Sequence, residues 1–401
     1  MHGEVLVQPP MPALLESLRH PFFSGDAGPT PLGKPLPELR AAARMQILEA
    51  ATLWAQQTGA DPPPALPSPA DGDTRPIILT GHQLEFYHAG VWAKVLVADA
   101  LARRTDGLAF DLLVDYDTVD QRGFDVPEHA AATGDWSKAP VDFAPPSPLP
   151  VDALPAPAAD EFQAWDAALA DHPATHTDTM ALFLTAARGG LRHDAASGPA
   201  PGYAAWLSGA RRKLEASLDL NVHHVPAGLL CTGPLWHDFV AAWITNADAW
   251  TAAYNRHLAG YRASHGIRDD RRPMPNLERR ASADATLHEL PFWIYRLGEP
   301  RQRLFIKKAS AATRLLLGNA EIPLDTAFRD PPDTLQIRPR ALTLTLYARL
   351  LFADLFIHGI GGALYDQITD ALLDELFHIV PPYACVSAAW LLPLAAESDR
   401  I

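Results

Sequence analysis

Cysteine is almost absent. Cys231 and Cys385 are the only two, far apart and outside any Cys-x-x-Cys pattern. That excludes a disulfide framework and a zinc ribbon, fits buried apolar roles for both, and leads us to expect a reducing, cytoplasmic setting. Positive charge is also short, with 33 Lys and Arg against 47 Asp and Glu and a formal net charge of −14. This balance argues against nucleic acid as a partner, while a local basic pocket could still hold one nucleotide. No long apolar run is free of charge. The most membrane-like stretch, "ALTLTLYARLLFADLFIHGIGG", carries Arg349 and Asp354 and reads as a buried helix and strand, so no membrane partner is expected. The start, "MHGEVLVQPPMP", has no basic region leading into an apolar one, and no signal peptide is expected. Several catalytic signatures are missing too. There is no Gly-x-Ser-x-Gly elbow, and the pair His172 and His176 in "HPATH" lacks the glutamate of a zinc-protease helix. No internal repeat is present.

What remains is a chain of 401 residues, 48% of them hydrophobic, enough for a large core in one or two domains. "LPELRAAARMQILEAATLWAQQTG" predicts a helix over Leu36–Gly59, followed by a Pro-rich linker. "RPIILTG" reads as a buried strand, residues 91–104 as a helix, and "LAFDLLVDYDTVD" as a second strand. Strand–helix–strand is the seed of a parallel α/β sheet. Proline recurs through residues 139–157 and marks a connection leaving the sheet. Helices are expected near 160–169, 177–188 and 203–218, then a strand at "NVHHVPAGLLC" and one long helical region ending at Gly266. "ELPFWIYRLGEPRQRLFIKK" predicts a hairpin turning at Gly298 and Pro300. The remainder reads helix (341–352), strand ("LFIHGI"), glycine loop, helix. The expected divisions are 1–75 (helical arm and linker), 76–138 (first half of the core), 139–220 (helical insertion), 221–290 (strand and long helical region) and 291–401 (hairpin and second half of the core).

Three polar clusters carry the chemistry. The first is the loop "TGHQLEFYHAG", where a strand hands over to a helix. His82 and His88 suit phosphate or carboxylate and are candidate catalytic residues, one of them as acid–base, while Gln83 could orient a substrate, and Gly81 and Gly90 permit close backbone approach. The alternative is that both histidines only satisfy a buried turn. The second cluster is Asp115, Asp117 and Asp120 at a strand end. Carboxylates at i and i+2 of a strand share a face and could bind Mg²⁺, receive an amine or act as a general base; plain turn chemistry is the rival. The third is "FIHGIGGALYDQ", in which Gly359, Gly361 and Gly362 form a candidate phosphate cradle flanked by His358, Tyr365 and Asp366, with tight backbone packing as the alternative. Arg338 and Arg340 in "IRPRA", with Lys307, Lys308 and Arg314, supply positive charge beside it. No metal-ligand set is assigned. Trp236, Trp243 and Trp250 recur every seven residues on what reads as one helix face, suited to core packing or to a homodimer interface. His223 and His224 are strand neighbours that point to opposite faces.

"GHQLEFYHAGVWAKVLVADALA", "VDYDTVD" and "RPRALTLTLYARLLFADLFIHGIGGALYDQITD" together resemble the cysteine-adding enzyme (BshC) family of bacillithiol biosynthesis, over about the core half of the chain. The likeness is to relatives of those enzymes more than to the enzymes themselves, whose first loop reads Gly-Gln-Gln where this chain has Gly81-His82-Gln83 and whose acidic motif reads Glu-Asp-His-Asp where it has Asp115-Tyr116-Asp117. No sustained heptads predict that family's coiled-coil arm. "HAGV" is also similar to the His-x-Gly-His signature of class I nucleotidyltransferases, with Val91 in place of the last histidine. The resemblance implies a Rossmann-like parallel sheet core related to class I nucleotidyltransferases, with helical insertions. It further implies a ligase or transferase joining a small amine- or thiol-bearing molecule to a sugar-like acceptor, with ADP or ATP as the candidate nucleotide. Nucleotidyl transfer to a small molecule, or metabolite binding without turnover, are the other readings.

Overall fold

The computed structural model describes residues 3–19, 30–64, 75–86, 88–130, 135–172, 177–191, 201–310, 312–328 and 334–389. Most of the Pro-rich linker, residues 173–176 of the "HPATH" stretch and residue 311 lie outside them. In chain order the elements begin β1 (Glu4–Gln8), α1 (Met11–Arg19), α2 (Leu36–Thr58), β2 (Ile77–Gln83), α3 (Ala89–Thr105) and β3 (Leu108–Val114). Next come β4 (Arg122–Ala130), β5 (Asp135–Ala144), α4 (Ala159–Ala170), α5 (Asp178–Gly190), α6 (Tyr203–Ser217), β6 (Val222–Pro226), α7 (Ala227–Leu230), α8 (Gly233–Thr245) and α9 (Ala247–Ser264). The chain continues with β7 (Arg279–Ala281), β8 (Ala285–Arg296), β9 (Gln302–Ala309), β10 (Thr313–Leu317), β11 (Ala320–Pro323), α10 (Leu324–Phe328) and β12 (Leu335–Pro339). It closes with α11 (Ala341–Leu351), β13 (Leu355–His358), α12 (Ile360–Phe377) and β14 (Tyr383–Ala389).

The fold is α/β. A six-stranded sheet runs β1-β14-β13-β2-β3-β6, parallel throughout except for β1, which is antiparallel to β14. Numbered along the chain, the five parallel strands lie in the order 5-4-1-2-3. The order therefore reverses between β2 and β13, and a ligand crevice is expected outside the strand ends there. Strands covered on both faces read as unbroken apolar runs, which is why "IILT" and "LAFDLLV" are legible as strands. One face, with Ile78, Ala109, Val222, Leu355 and Ile357, packs beneath α1 and α3. The other, with Leu79, Phe110, Leu112 and Phe356, shares a core with α2, α8, α9, α11 and α12. The N-terminal segment is not an arm: β1 forms the sheet's edge, and α2 buries Leu39, Ala43, Ile47 and Ala51 in the core before ending at Gly59.

Two modules extend this sheet. Between β3 and β6, the β4–β5 hairpin and α4–α6 enclose their own aromatic core, including Phe143, Phe162, Trp165 and Trp206. Between α9 and α11, a second antiparallel sheet runs β11-β10-β9-β8-β12, with β7 on β8. The expected hairpin is β8–β9. The single long helical region is instead two helices. Asn246 leaves helical geometry at φ −98°, ψ 20°, and its side-chain Nδ2 donates to the Ala242 carbonyl at 2.9 Å. The tryptophans therefore do not form an outward stripe. Trp236 packs on Phe239, Phe292 and Tyr347, and Trp243 meets Trp250 edge-on at 5.1 Å, all inside the chain. With Trp236 and Trp243 only 3% and 0% exposed, this helix face is not available to a second copy. Among the described residues no helix is long and apolar enough to cross a membrane.

Candidate active site

The polar clusters read from the sequence separate into four places. At the end of β2, His82 turns inward, its Nδ1 3.1 Å from Asp111 Oδ1. Lys94 of α3 donates to the Gly81 carbonyl at 2.8 Å. Behind Asp111 lies a buried network: Arg211 bridges Asp111 and Glu215 at 2.9 and 3.1 Å, Arg212 binds Glu215 at 2.8 Å, and His224 meets both Glu215 and Ser208. Burial holds the His82 imidazole well below its ordinary range, with Lys94 and Arg211 adding to the effect. His82 thus ties the sheet to α6. His88 has a local task, its Nδ1 accepting from the Gly90 amide at 3.1 Å as the N-cap of α3. His223 and His224 do face opposite ways, the first against Phe110 and the second into the network.

The third cluster is knitted into α11 and α12. His358 Nε2 lies 2.9 Å from Asp366 Oδ2, and the same oxygen takes Arg349 Nη1 at 2.6 Å. Gly362 is required by this packing, because a Cβ there would stand 2.8 Å from His358 Nδ1. Gly359 caps α12, and both it and Gly361 face open space. Tyr365 is exposed, 6.1 Å edge-on from Tyr261. Arg340 is separate again, its guanidinium paired with the fully buried Glu289 at 2.6 Å and stacked on Trp293.

The acidic cluster is where residues from distant elements meet. β3 ends at Val114, and the Asp115 amide turns back to the Leu113 carbonyl. The i, i+2 strand geometry expected for Asp115 and Asp117 therefore does not hold, and the two carboxylates diverge. Asp117 accepts from Gln83 Nε2 at 2.7 Å and pairs with Arg301, locking the first loop to the β8–β9 turn. Asp120 is exposed. Asp115 instead points to α7, where its Oδ1 accepts from the Gly228 amide at 2.8 Å. Next to it comes Asp152, whose amide donates to the Asp115 carbonyl at 2.6 Å and whose Oδ2 accepts the Tyr295 hydroxyl at 2.6 Å. Arg338 of β12 faces both carboxylates, held by bonds from Nη1 to the carbonyls of Cys231 and Ile337 at 3.1 Å each. Asp152 Oδ1, Tyr116 Oη and Arg338 Nε are buried there without a hydrogen-bond partner among the described residues.

The electrostatics follow from this packing. Burial pushes the Asp115 carboxyl up to about 6, against the opposing pull of Arg338 and the Gly228 amide, and nearby Asp152 adds to the rise. Burial also raises Asp152, offset by the Tyr295 hydroxyl and Arg338. Two carboxylates thus lie in the field of one guanidinium, without a direct ion pair to it, at the carboxyl edge of a parallel sheet. Such a pair can hold an ammonium group and take a proton from it near neutral pH. Gln83, Asp115, Asp117 and Arg338 were readable beforehand as polar residues after apolar runs. Asp152, Tyr295, Arg301 and Gly228 were not. Asp152 sits in a Pro-rich connection with no spacing signal, and Tyr295 reads as an ordinary strand residue. Among the described residues no three His, Cys, Asp or Glu side chains group to hold a metal ion.

Gly228 is packed directly against Asp115. A Cβ at that position would lie 2.7 Å from Asp115 Oδ2. Gly228→Ala is expected to cost about 1–3 kcal/mol of stability through overpacking, measured by urea unfolding. Combining it with Asp115→Ala should recover most of that loss, because the clashing oxygens are gone. Independent, additive effects of the two substitutions would mean that the contact does not constrain the site.

Compared with protein-family models and with curated proteins, the chain matches none.

Proposed function

We propose that this protein is an enzyme that joins a small amine- or thiol-bearing molecule to a sugar-like acceptor, as the resemblance to the cysteine-adding family implies, within a Rossmann-like core. The observation that carries the reading is the Asp115 carboxyl. It lies at the carboxyl edge of β3, is held by the Gly228 amide, and is pushed up to about 6 with Arg338 and Asp152 beside it. In this reading Asp152 and Asp115 receive the ammonium, and Asp115 accepts its proton, leaving a neutral, nucleophilic amine. Arg338 favours the ionised form of both carboxylates through its nearby charge. The strand order supports the Rossmann-like assignment, because it reverses at β2 and β13, next to the first loop and the start of α12. A second reading is a nucleotide-binding protein, supported by the open backbone at Gly359 and Gly361 on the N-terminus of an 18-residue helix.

Calorimetric titration of ADP and ATP, with and without Mg²⁺, followed by mass-spectrometric search for conjugates of amino acids with amino sugars, tests both. Saturable nucleotide binding with conjugate formation supports the enzyme. Binding without any conjugate supports the second reading. Neither heat nor product, with an unchanged melting temperature, removes both.

A further inference from the structure

The two ends of the parallel sheet are treated differently. At one end β6 is buried along its whole length, with His224 tied into α6. At the other, β1 is the outermost strand, and among the described residues its outer edge pairs with nothing. Val5 and Leu6 are 59% and 46% exposed, and as strand neighbours they point to opposite faces. Exposed strand edges are ordinarily guarded by charge or proline. In this chain β11 carries Glu321, paired with Lys307, and ends in Pro323. The β4–β5 hairpin carries Asp125, Pro127, Glu128, Lys138 and Pro140 along its length. β1 reads Glu-Val-Leu-Val-Gln, with its single charge at the end and its prolines only after Gln8.

That sequence is also nearly the same in both directions. Antiparallel pairing of two β1 strands about a two-fold axis at Leu6 sets Leu6 against Leu6, Val5 against Val7, and Glu4 against Gln8. Apolar side chains then meet on both faces. The carboxylate of Glu4 meets an amide that can donate to it, and no like charges face each other. An edge that is its own complement is what an isologous dimer requires, since each residue i that contacts j is matched by j contacting i.

We propose that two copies of this chain associate through β1, antiparallel about Leu6, so that their parallel sheets join into one continuous sheet. The inference is independent of the proposed chemistry. Sedimentation equilibrium of the full chain over a wide concentration range should give twice the 43.5 kDa protomer mass. Leu6→Lys, which sets two ammonium groups against each other on the axis, should weaken association at least tenfold while circular dichroism is unchanged. Leu6→Cys should form a covalent dimer on mild oxidation, because residues facing across antiparallel strands are about 4.5–5.5 Å apart at Cα, within disulfide reach. The unsubstituted chain, with Cys231 buried and Cys385 partly so, is the control. If Leu6→Lys unfolds the protein, the cysteine variant decides. A protomer mass at every concentration overturns the proposal, as does a dimer that survives Leu6→Lys and is not cross-linked by Leu6→Cys.

Discussion

Asp115→Asn is expected to slow the proposed reaction by about 10²–10⁴-fold, the usual worth of a positioned general base, and at the same time to make the folded protein more stable above pH 6. The two effects have one cause. The Asp115 carboxyl is raised from 3.8 to about 6, burial being the largest contributor. A carboxyl that titrates higher in the folded state than in the unfolded chain holds its proton longer when folded. Folding is therefore favoured least where the group is ionised in both states. Its contribution to stability falls as pH rises from about 4 through 6 and stays low above that. At about 1.4 kcal/mol per pH unit, the cost at neutral pH is about 3 kcal/mol. Asparagine keeps the acceptor for the Gly228 amide and carries no charge, so it removes most of that cost.

The measurements are urea unfolding at pH 4 and pH 8, and the pH dependence of kcat/KM with whichever amine proves to be the substrate. The unsubstituted protein should show an acid limb near pH 6, and Asp115→Asn should gain stability at pH 8 with little change at pH 4. A variant that is both less stable and fully active at pH 8 would falsify the assignment of Asp115 as a half-buried base. A structural carboxylate could lose stability on substitution. It would not pair slower chemistry with a firmer fold.

How much of this was legible in the sequence depended on whether the deciding contact is local. Helix α2 ends at the glycine that marks it, and β2 and β3 follow their apolar runs, because each depends on residues near in sequence. The site's first half was legible for the same reason: polar residues follow an apolar strand at Gln83 and Asp115. What failed were roles set by distant partners. His82 looked like a ligand donor until Asp111 and Arg211, on β3 and α6, supplied its surroundings. Asp152 and Tyr295 lie 143 residues apart and share a hydrogen bond that no spacing could announce. One signal was present but carried further than expected. Arg349 and Asp354 interrupt an apolar run and argue against a membrane span. Both are also members of ion pairs, Arg349 fully buried and Asp354 partly so, the latter binding Arg40, Arg44 and the Ile77 amide. A charge inside an apolar run should be read as a search for its partner.

Arg349→Met should be the most damaging single change to the fold, at about 3–5 kcal/mol. Arg349 is fully buried. Its Nη1 binds Asp366 at 2.6 Å, its Nη2 binds Asp370 at 2.7 Å and also donates to the Pro381 carbonyl, and its guanidinium lies 4.8 Å from the Tyr383 ring centre. One side chain thus joins α11 to α12 and to the entry of β14. Methionine fills similar volume, so the loss is electrostatic: the buried Asp366 carboxylate and a carbonyl remain in low dielectric, with half-buried Asp370 beside them and the cation gone. The pH dependence should also invert. In the unsubstituted protein the Asp366 carboxyl lies below its ordinary 3.8, because His358 and Arg349 together outweigh burial. Its contribution is present above that pH and is lost in acid. Without Arg349 the carboxyls lose their cation, burial pushes them up, and ionising them costs stability as pH increases. The variant should therefore be more stable at pH 5 than at pH 8 by urea unfolding. Adding Asp366→Asn to it should recover part of the loss at pH 8. A loss below about 1 kcal/mol, the level of an exposed ion pair, would mean that water reaches these groups and that α11 and α12 are held together by their apolar contacts alone.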